Sequence, residues 1–303
     1  MSRATRMFGA VEAGGTKFVC AIGDASGQIH AQTRFPTTEP AATLSAARDF
    51  LRANSLKFGT LAAIGIASFG PVNLDRSSPR YGFIGRTPKA GWSDTGIVAM
   101  LAQEFPCPIG FDTDVNAAAL AEHRWGAARD VGNLVYVTVG TGIGGGVLVR
   151  GAPLHGLMHA EIGHIRPQRH PLDVDFYGVC PFHRDCLEGL ASGPAIVSRA
   201  GAELQNLDAA HPQWELEADY LGQLCAQLVF TLSPQRIIMG GGVMTQLRLL
   251  PGIQRRMLHW LGGYMDRREI LEDTDRYVTL PGLGAQAGVL GALSLAIAAS
   301  SGV

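Results

Sequence analysis

Four glycine clusters punctuate this chain, each beside an apolar run, and they limit what it can fold into. They are Gly14-Gly15, the run Gly140-Thr141-Gly142-Ile143-Gly144-Gly145-Gly146, the triplet Gly240-Gly241-Gly242, and Gly282-Leu283-Gly284-Ala285-Gln286-Ala287-Gly288. Glycine supplies 39 of the 303 residues, against about 7% in an ordinary domain. No G-x-y repeat runs through them, so a collagen-like rod is excluded. Apolar residues make up 47% of the chain, enough for one or two cores and too many for a disordered protein.

The runs between the clusters alternate in type. Residues 8–12 and 18–23 read as strands on either side of the first glycine turn, and 29–35 as a third strand. Leu44, Ala47, Phe50 and Leu51 recur at helical spacing, which predicts an amphipathic helix over 43–53. A β run at 61–68 ends in Phe69-Gly70-Pro71. Ser93 is the expected N-cap of a helix reaching Phe105. A short strand at 109–112 and an alanine-rich helix at 116–125 follow. The second half opens in the same way, with strands at 133–139 and 145–149 around TGIGG. After an irregular stretch from 153 to 186 come a helix over 217–231, a strand at 236–239, a further helix, a strand at 277–280 and a closing helix at 285–298. Two halves that each open on a glycine hairpin predict a duplicated α/β unit.

Glycine loops let backbone N–H groups approach an anion closely, and a threonine hydroxyl and a lysine ammonium add direct phosphate contacts. Ala13-Gly14-Gly15-Thr16-Lys17 and the 140–146 loop fit that description. Neither has P-loop spacing, and neither has the Rossmann pattern. The competing reading is a pair of tight hairpins that need positive φ. The occurrence of two matching loops favours phosphate. The triplet at 240–242 follows a strand, where α/β sheets hold ligands. The fourth cluster leads into the last helix.

Cys180, His183 and Cys186 are spaced C-x2-H-x2-C, with His164 upstream, and such a set of soft and borderline ligands matches a closed zinc site. His159 and His170 also lie close enough to be the fourth ligand. A metal would order a segment that has no periodicity of its own. Asp112 and Asp114 fall at a strand end just before a helix, a position suited to a general base. An N-cap role for Asp114 is the structural alternative.

A formal net charge of -1 gives no basic footprint for nucleic acid. The apolar stretch 289–299 is shorter than the 18 or so residues needed to span a bilayer. No apolar segment precedes Glu12, so no signal peptide is expected. Five cysteines are an odd number, which argues against a secreted disulfide framework and for a cytoplasmic protein. Cys20, Cys107 and Cys225 sit in apolar surroundings and are expected in cores.

Together these motifs resemble those of the ROK sugar kinases, within the actin-like ATPase and hexokinase superfamily, over almost the whole chain. Glu12-Ala13-Gly14-Gly15-Thr16-Lys17 is similar to that family's first phosphate motif, and Val137-Thr138-Val139-Gly140-Thr141-Gly142 with the following glycines to its second. Glu161-Ile162-Gly163-His164 matches the E-x-G-H sugar motif, and the cysteine segment with Leu187-Glu188-Gly189 resembles the zinc segment. Several departures resemble the bacterial fructokinase branch: Glu12 where Asp is usual, C-x2-H-x2-C in place of C-x-C-x4-C, Thr113 in place of Asn, and Thr87-Pro88-Lys89-Ala90-Gly91-Trp92.

The resemblance implies a two-lobed actin-like ATPase fold with a nucleotide cleft between lobes. The smaller lobe would comprise 1–115 and 286–303, and the larger 116–285 with a zinc insert near 153–190. It implies that ATP phosphorylates a hexose, D-fructose in the first instance, at the 6-hydroxyl, with Asp114 as the base. Gly70, Pro71, Thr113, Asp114, Glu161, His164 and Glu188 would contact the sugar. Gly14, Gly15, Thr16, Lys17, Thr138, Gly140, Thr141 and Gly142 would surround the phosphates, and Gly241, Gly242 and Gly284 the adenosine. Zinc would be held by His164, Cys180, His183 and Cys186, while Glu12 or Asp112 would help position magnesium. A homodimer is expected. The alternatives are a glucokinase, a mannokinase, an N-acetylmannosamine kinase or a non-catalytic sugar sensor. A ROK-type repressor would need a helix-turn-helix ahead of Glu12.

Overall fold

The computed structural model describes residues 6–302. The chain forms two compact units and contains two five-stranded sheets. In the first, β1 (Met7–Ala13) and β2 (Lys17–Asp24) pair antiparallel across the first glycine turn, and β3 (Ile29–Pro36) pairs antiparallel with β2. On the other side β4 (Ala63–Ser68) runs parallel to β1, and β5 (Ile109–Thr113) parallel to β4. The order is β3-β2-β1-β4-β5. Strands β1, β2 and β4 are almost continuously apolar because both of their faces are covered, whereas β3 alternates as an edge strand should.

Helices α1 (Pro40–Phe58) and α2 (Ile97–Ala102) belong to this unit, with Leu44, Leu51, Ile64, Ile66, Trp92 and Ile97 in its core. The other face carries α3 (Asp114–Arg124) and the last helix of the chain (Ala287–Ala299), which pack on each other and on β4. Their approach is close: a Cβ at Gly65 would strike the Ala292 backbone, and one at Gly291 the Ala117 backbone. Part of the glycine surplus therefore serves helix–sheet packing, outside the four clusters.

In the second unit β6 (Leu134–Val139) and β7 (Ile143–Val149) form the second glycine hairpin. With β9 (Arg236–Gly240) and β10 (Val278–Thr279) of the same unit, and with the two-residue strand β8 (Ala152–Pro153), which falls in the segment 151–160 grouped with the first unit, the sheet order is β10-β9-β6-β7-β8. Strand β9 is parallel to β6, and β10 parallel to β9. Read from the other edge, this is the pattern of the first sheet strand for strand, so the predicted duplication extends through the whole sheet. The helices are α4 (Leu187–Ala191), α5 (Gly193–Ala200), α6 (Gln213–Leu232), α7 (Leu249–Leu261), α8 (Arg268–Leu271) and α9 (Thr274–Tyr277); the closing helix Ala287–Ala299 is α10.

Three expectations differ from what is found. The first unit extends to Arg129 and also takes Gly151–Ala160 and the chain from Ala285 on. A division at 115 would separate α3 from α10 and β4, against which it packs. The helix expected from Ser93 begins only at Ile97, because the Ser93 hydroxyl is turned to Thr87, whose N–H it accepts at 3.2 Å. The strand expected at 277–280 shrinks to Val278–Thr279 because α9 runs to Tyr277. No described helix is long and apolar enough to cross a membrane.

Candidate active site and metal centre

In the first unit, the Gly14 N–H donates to the Lys17 carbonyl at 3.0 Å, and Thr37 Oγ1 donates to the Gly14 carbonyl at 2.6 Å. A Cβ on Gly14 would lie 2.7 Å from the Lys17 oxygen, so this turn needs glycine for close approach; its φ is not positive. Gly15 faces open space and Thr16 is exposed. Glu12 lies against Gly288 at the start of α10. Burial raises its carboxyl above the usual range, and Lys17 and Arg34 pull the other way.

Asp114 is the first residue of α3, and Thr113 is its N-cap, with Oγ1 accepting the Asn116 N–H at 3.1 Å. The capping role raised for Asp114 is thus filled by its neighbour. Asp114 is left at a helix N-terminus, which favours negative charge. Thr113, expected to touch sugar, is 3% exposed, with its hydroxyl committed to the cap. Asp112 is buried beneath: Oδ1 accepts from the Thr113 N–H at 2.7 Å and Asn116 Nδ2 at 2.8 Å, and Oδ2 meets His155 Nε2 at 2.9 Å. Beyond β4, the Val72 N–H next to Gly70 and Pro71 donates to His159 Nε2 at 3.1 Å. Two histidines therefore fasten the 151–160 segment, one at the end of β5 and one after β4. Sequence reasoning missed His155 entirely, because its partner is 43 residues away and no motif joins them.

The hydrogen bond that His155 donates to Asp112 raises the His155 pKa above 6.5, against burial and Arg76. A raised histidine pKa adds stability that is complete below the unfolded value and lost as pH rises through the folded one. The His155 side chain is 42% exposed, so the effect is at most about 1 kcal/mol. The Tm deficit of His155→Ala is therefore expected to be larger at pH 6 than at pH 8.5. Thermal melts of both proteins at the two pH values measure it, and a deficit that is constant with pH would contradict the assignment.

In the second unit, Thr138 lies on β6 beside Gly144 of β7 and Gly240 of β9. The Gly140 N–H donates to the Gly142 carbonyl at 2.9 Å, and the Gly193 N–H at the start of α5 donates to the Gly140 carbonyl at 2.7 Å. Thr141 is exposed. Glu188 on α4 accepts the Ile143 N–H at 3.0 Å, and its Oε2 would lie 2.6 Å from a Cβ on Gly142. Gly241 has φ +92° with the Val139 backbone pressed against it, Gly242 faces open space, and Gly284 has φ +52°. Positive φ thus explains two glycines near the expected adenosine position and none in either hairpin loop. Glu161 precedes the 3-10 turn Ile162–His164, which packs on β7.

The same turn delivers His164 to the cysteine segment. His164, Cys180, His183 and Cys186 place one ligand atom each within 4.8 Å of one another. Cys186 Sγ is 3.5 Å from His164 Nδ1, and Cys180 Sγ is 3.9 Å from His164 Nδ1 and 3.7 Å from His183 Nδ1. A tetrahedral zinc with bonds of about 2.0–2.3 Å separates its ligands by roughly 3.3–3.8 Å, so the donor set fits that ion. Burial pushes the Cys186 thiol up to about 12, and a divalent ion would favour the thiolate. The other two candidate histidines are used elsewhere: His159 at Val72, and His170 as acceptor for the Leu172 N–H at 3.2 Å.

The sequence model of one family, described as the ROK family, matches residues 8–299. The chain belongs to the ROK family. Among curated ROK relatives, a fructokinase from Zymomonas mobilis is 44% identical, with 99% of this chain and 100% of that one covered. A fructokinase from Pediococcus pentosaceus is 42% identical, with 97% and 98% covered. Among solved structures, the ROK hexokinase from Thermus thermophilus matches with a TM-score of 0.79 at 27% identity, covering 98% of this chain and all of that one. The α/β fold with two like sheets is accordingly the duplicated actin-like ATPase fold of ROK sugar kinases.

Proposed function

We infer that this ROK protein is a fructokinase, which transfers the γ-phosphoryl group of ATP to the 6-hydroxyl of D-fructose. The end-to-end match to fructokinases at 42–44% identity carries the reading, and the chemistry of the residues agrees with it. Asp114, the first residue of α3 with Thr113 as its N-cap, would take the proton of the attacking hydroxyl. Asp112 would not act directly, since both its oxygens are engaged; it would hold Thr113, Asn116 and His155 around the base. Glu161, His164 and Glu188 would accept and donate hydrogen bonds to sugar hydroxyls. Thr16, Lys17 and the exposed backbone near Gly15, Thr141 and Gly242 would bind phosphates and adenosine.

Magnesium would neutralise phosphate charge during transfer. Of the two carboxylates considered for it, Glu12 is the candidate, because both oxygens of Asp112 already bond protein groups. Zinc on His164, Cys180, His183 and Cys186 would be structural, since all four ligands come from the protein. The need for ATP argues for a cytoplasmic enzyme.

A coupled ADP-release assay with fructose, glucose, mannose and N-acetylmannosamine tests the reading. Fructose is expected to give the highest kcat/KM. A higher value for another sugar would reassign the specificity, and no ADP release with any of them would favour a non-catalytic sensor.

A further inference from the structure

Glu188 is committed at one end before any ligand arrives. Its Oε2 accepts the Ile143 N–H at 3.0 Å and lies against Gly142, where a Cβ would come within 2.6 Å of it. This loop was expected to offer its N–H groups to phosphate, yet the acceptor it has found for Ile143 is a carboxylate of its own unit. A carboxylate has about four acceptor sites, so Oε1 remains for a sugar hydroxyl. The backbone that carries the carboxylate is also well fixed. Glu188 is the second residue of α4, whose N-cap is Cys186; the Leu187 N–H donates to the Ile165 carbonyl at 2.8 Å, and the Glu188 carbonyl accepts the Ser192 N–H at 3.1 Å. The next residue, Gly193, grips the other end of the loop through the Gly140 carbonyl at 2.7 Å. The α4–α5 corner therefore holds the loop at Gly140 and at Ile143.

We propose that Glu188 couples hexose binding to the conformation of the Gly140–Ile143 phosphate loop, one carboxylate oxygen serving the sugar and the other the Ile143 N–H. This rests on the reading of Glu188 as a sugar ligand. A hydroxyl on Oε1 fixes the carboxylate and, through Oε2, the loop; by linkage, a nucleotide that orders the loop improves the sugar site by the same factor. A Cβ at 142 would have to push aside the flexible end of Glu188, which costs the fold little but moves the carboxylate. Gly142→Ala therefore damages fructose binding from within the phosphate loop.

The test measures fructose KM, and ADP affinity by calorimetry with and without saturating fructose, in the wild type, Gly142→Ala, Glu188→Ala and the double variant. In the wild type, fructose tightens ADP binding by about fivefold or more. Gly142→Ala and Glu188→Ala each raise fructose KM and abolish the tightening, and the double variant is no worse in fructose KM than Glu188→Ala alone. The coupling is overturned if Gly142→Ala changes ADP affinity while fructose KM stays within about twofold, or if the two effects multiply in the double variant. A Glu188→Ala enzyme with unchanged fructose KM would instead refute the sugar-ligand reading beneath it. Should Gly142→Ala fail to fold, Glu188→Gln decides. Its amide oxygen still accepts the Ile143 N–H, so it keeps the ADP tightening that Glu188→Ala loses, and equal loss in both overturns the proposal.

Discussion

Replacing Asp114 with Asn is expected to leave a folded protein with kcat lowered by about 10²–10⁴-fold, the usual contribution of a positioned general base. The side chain heads α3 without capping it, and Thr113 supplies the cap in either protein. Its Oδ1 lies 2.9 Å from the Val115 nitrogen, a contact that the amide oxygen of Asn can repeat. The fold and the hydrogen-bonding shape at this position are therefore retained, and the capacity to take a proton is lost. Far-UV circular dichroism and Tm should stay close to wild type, and fructose KM should move far less than kcat. A variant with kcat within tenfold of wild type would show that the proton goes elsewhere. Asp112→Asn should behave differently. It removes a buried charge that meets His155 and orients Asn116, so its main effect should be on stability.

Position alone left Asp112 and Asp114 equally suited to be the base, and only the family resemblance singled out Asp114. What separates them is contact with residues distant in the chain, above all His155. The two glycine hairpins were legible because each joins two apolar runs, and the like order of the two sheets follows from them. Local rules failed where a longer-range partner outbid them. Ser93 has the residue type of an N-cap, but its hydroxyl bonds Thr87 across the turn that carries the buried Trp92. The glycines at 65 and 291 looked unremarkable because their reason is a backbone in another element. Its neighbours in sequence made Glu188 a candidate sugar residue; its hold on Ile143, 45 residues away, had no sequence signal.

On the proposed zinc reading, stripping the metal is expected to lower Tm and to raise fructose KM sharply, while most of the helix content remains. Residues between β8 and α4 have no strand or α-helix, only the 3-10 turns Ile162–His164 and Pro171–Asp173. Beyond a few backbone bonds such as Leu187 N–H to the Ile165 carbonyl, their order comes from side chains. Besides the His155 and His159 contacts and the reciprocal Gln168–Gln223 bonds, two further anchors bear on the metal segment. At the second turn, Asp173 is paired with Arg199 on α5 at 2.7 and 2.9 Å and accepts from the Tyr220 hydroxyl on α6 at 2.7 Å. This anchor is indifferent to metal and is largely buried, where removing one partner of a pair costs about 3–5 kcal/mol. The other anchor is the His164, Cys180, His183 and Cys186 cluster, which without an ion offers only weak sulfur–imidazole contacts at 3.5–3.9 Å. The damage on metal loss should therefore be local, but it falls on Glu161, which precedes the turn carrying His164, and on Glu188, two residues beyond Cys186 at the start of α4. Metal analysis should find about one zinc per chain, and Cys186→Ser should lose it. Chelation should reproduce the Cys186→Ser rise in fructose KM, and added zinc should reverse the rise in the wild type only. A metal-free preparation with full activity and unchanged Tm would overturn the assignment of this cluster as a zinc site.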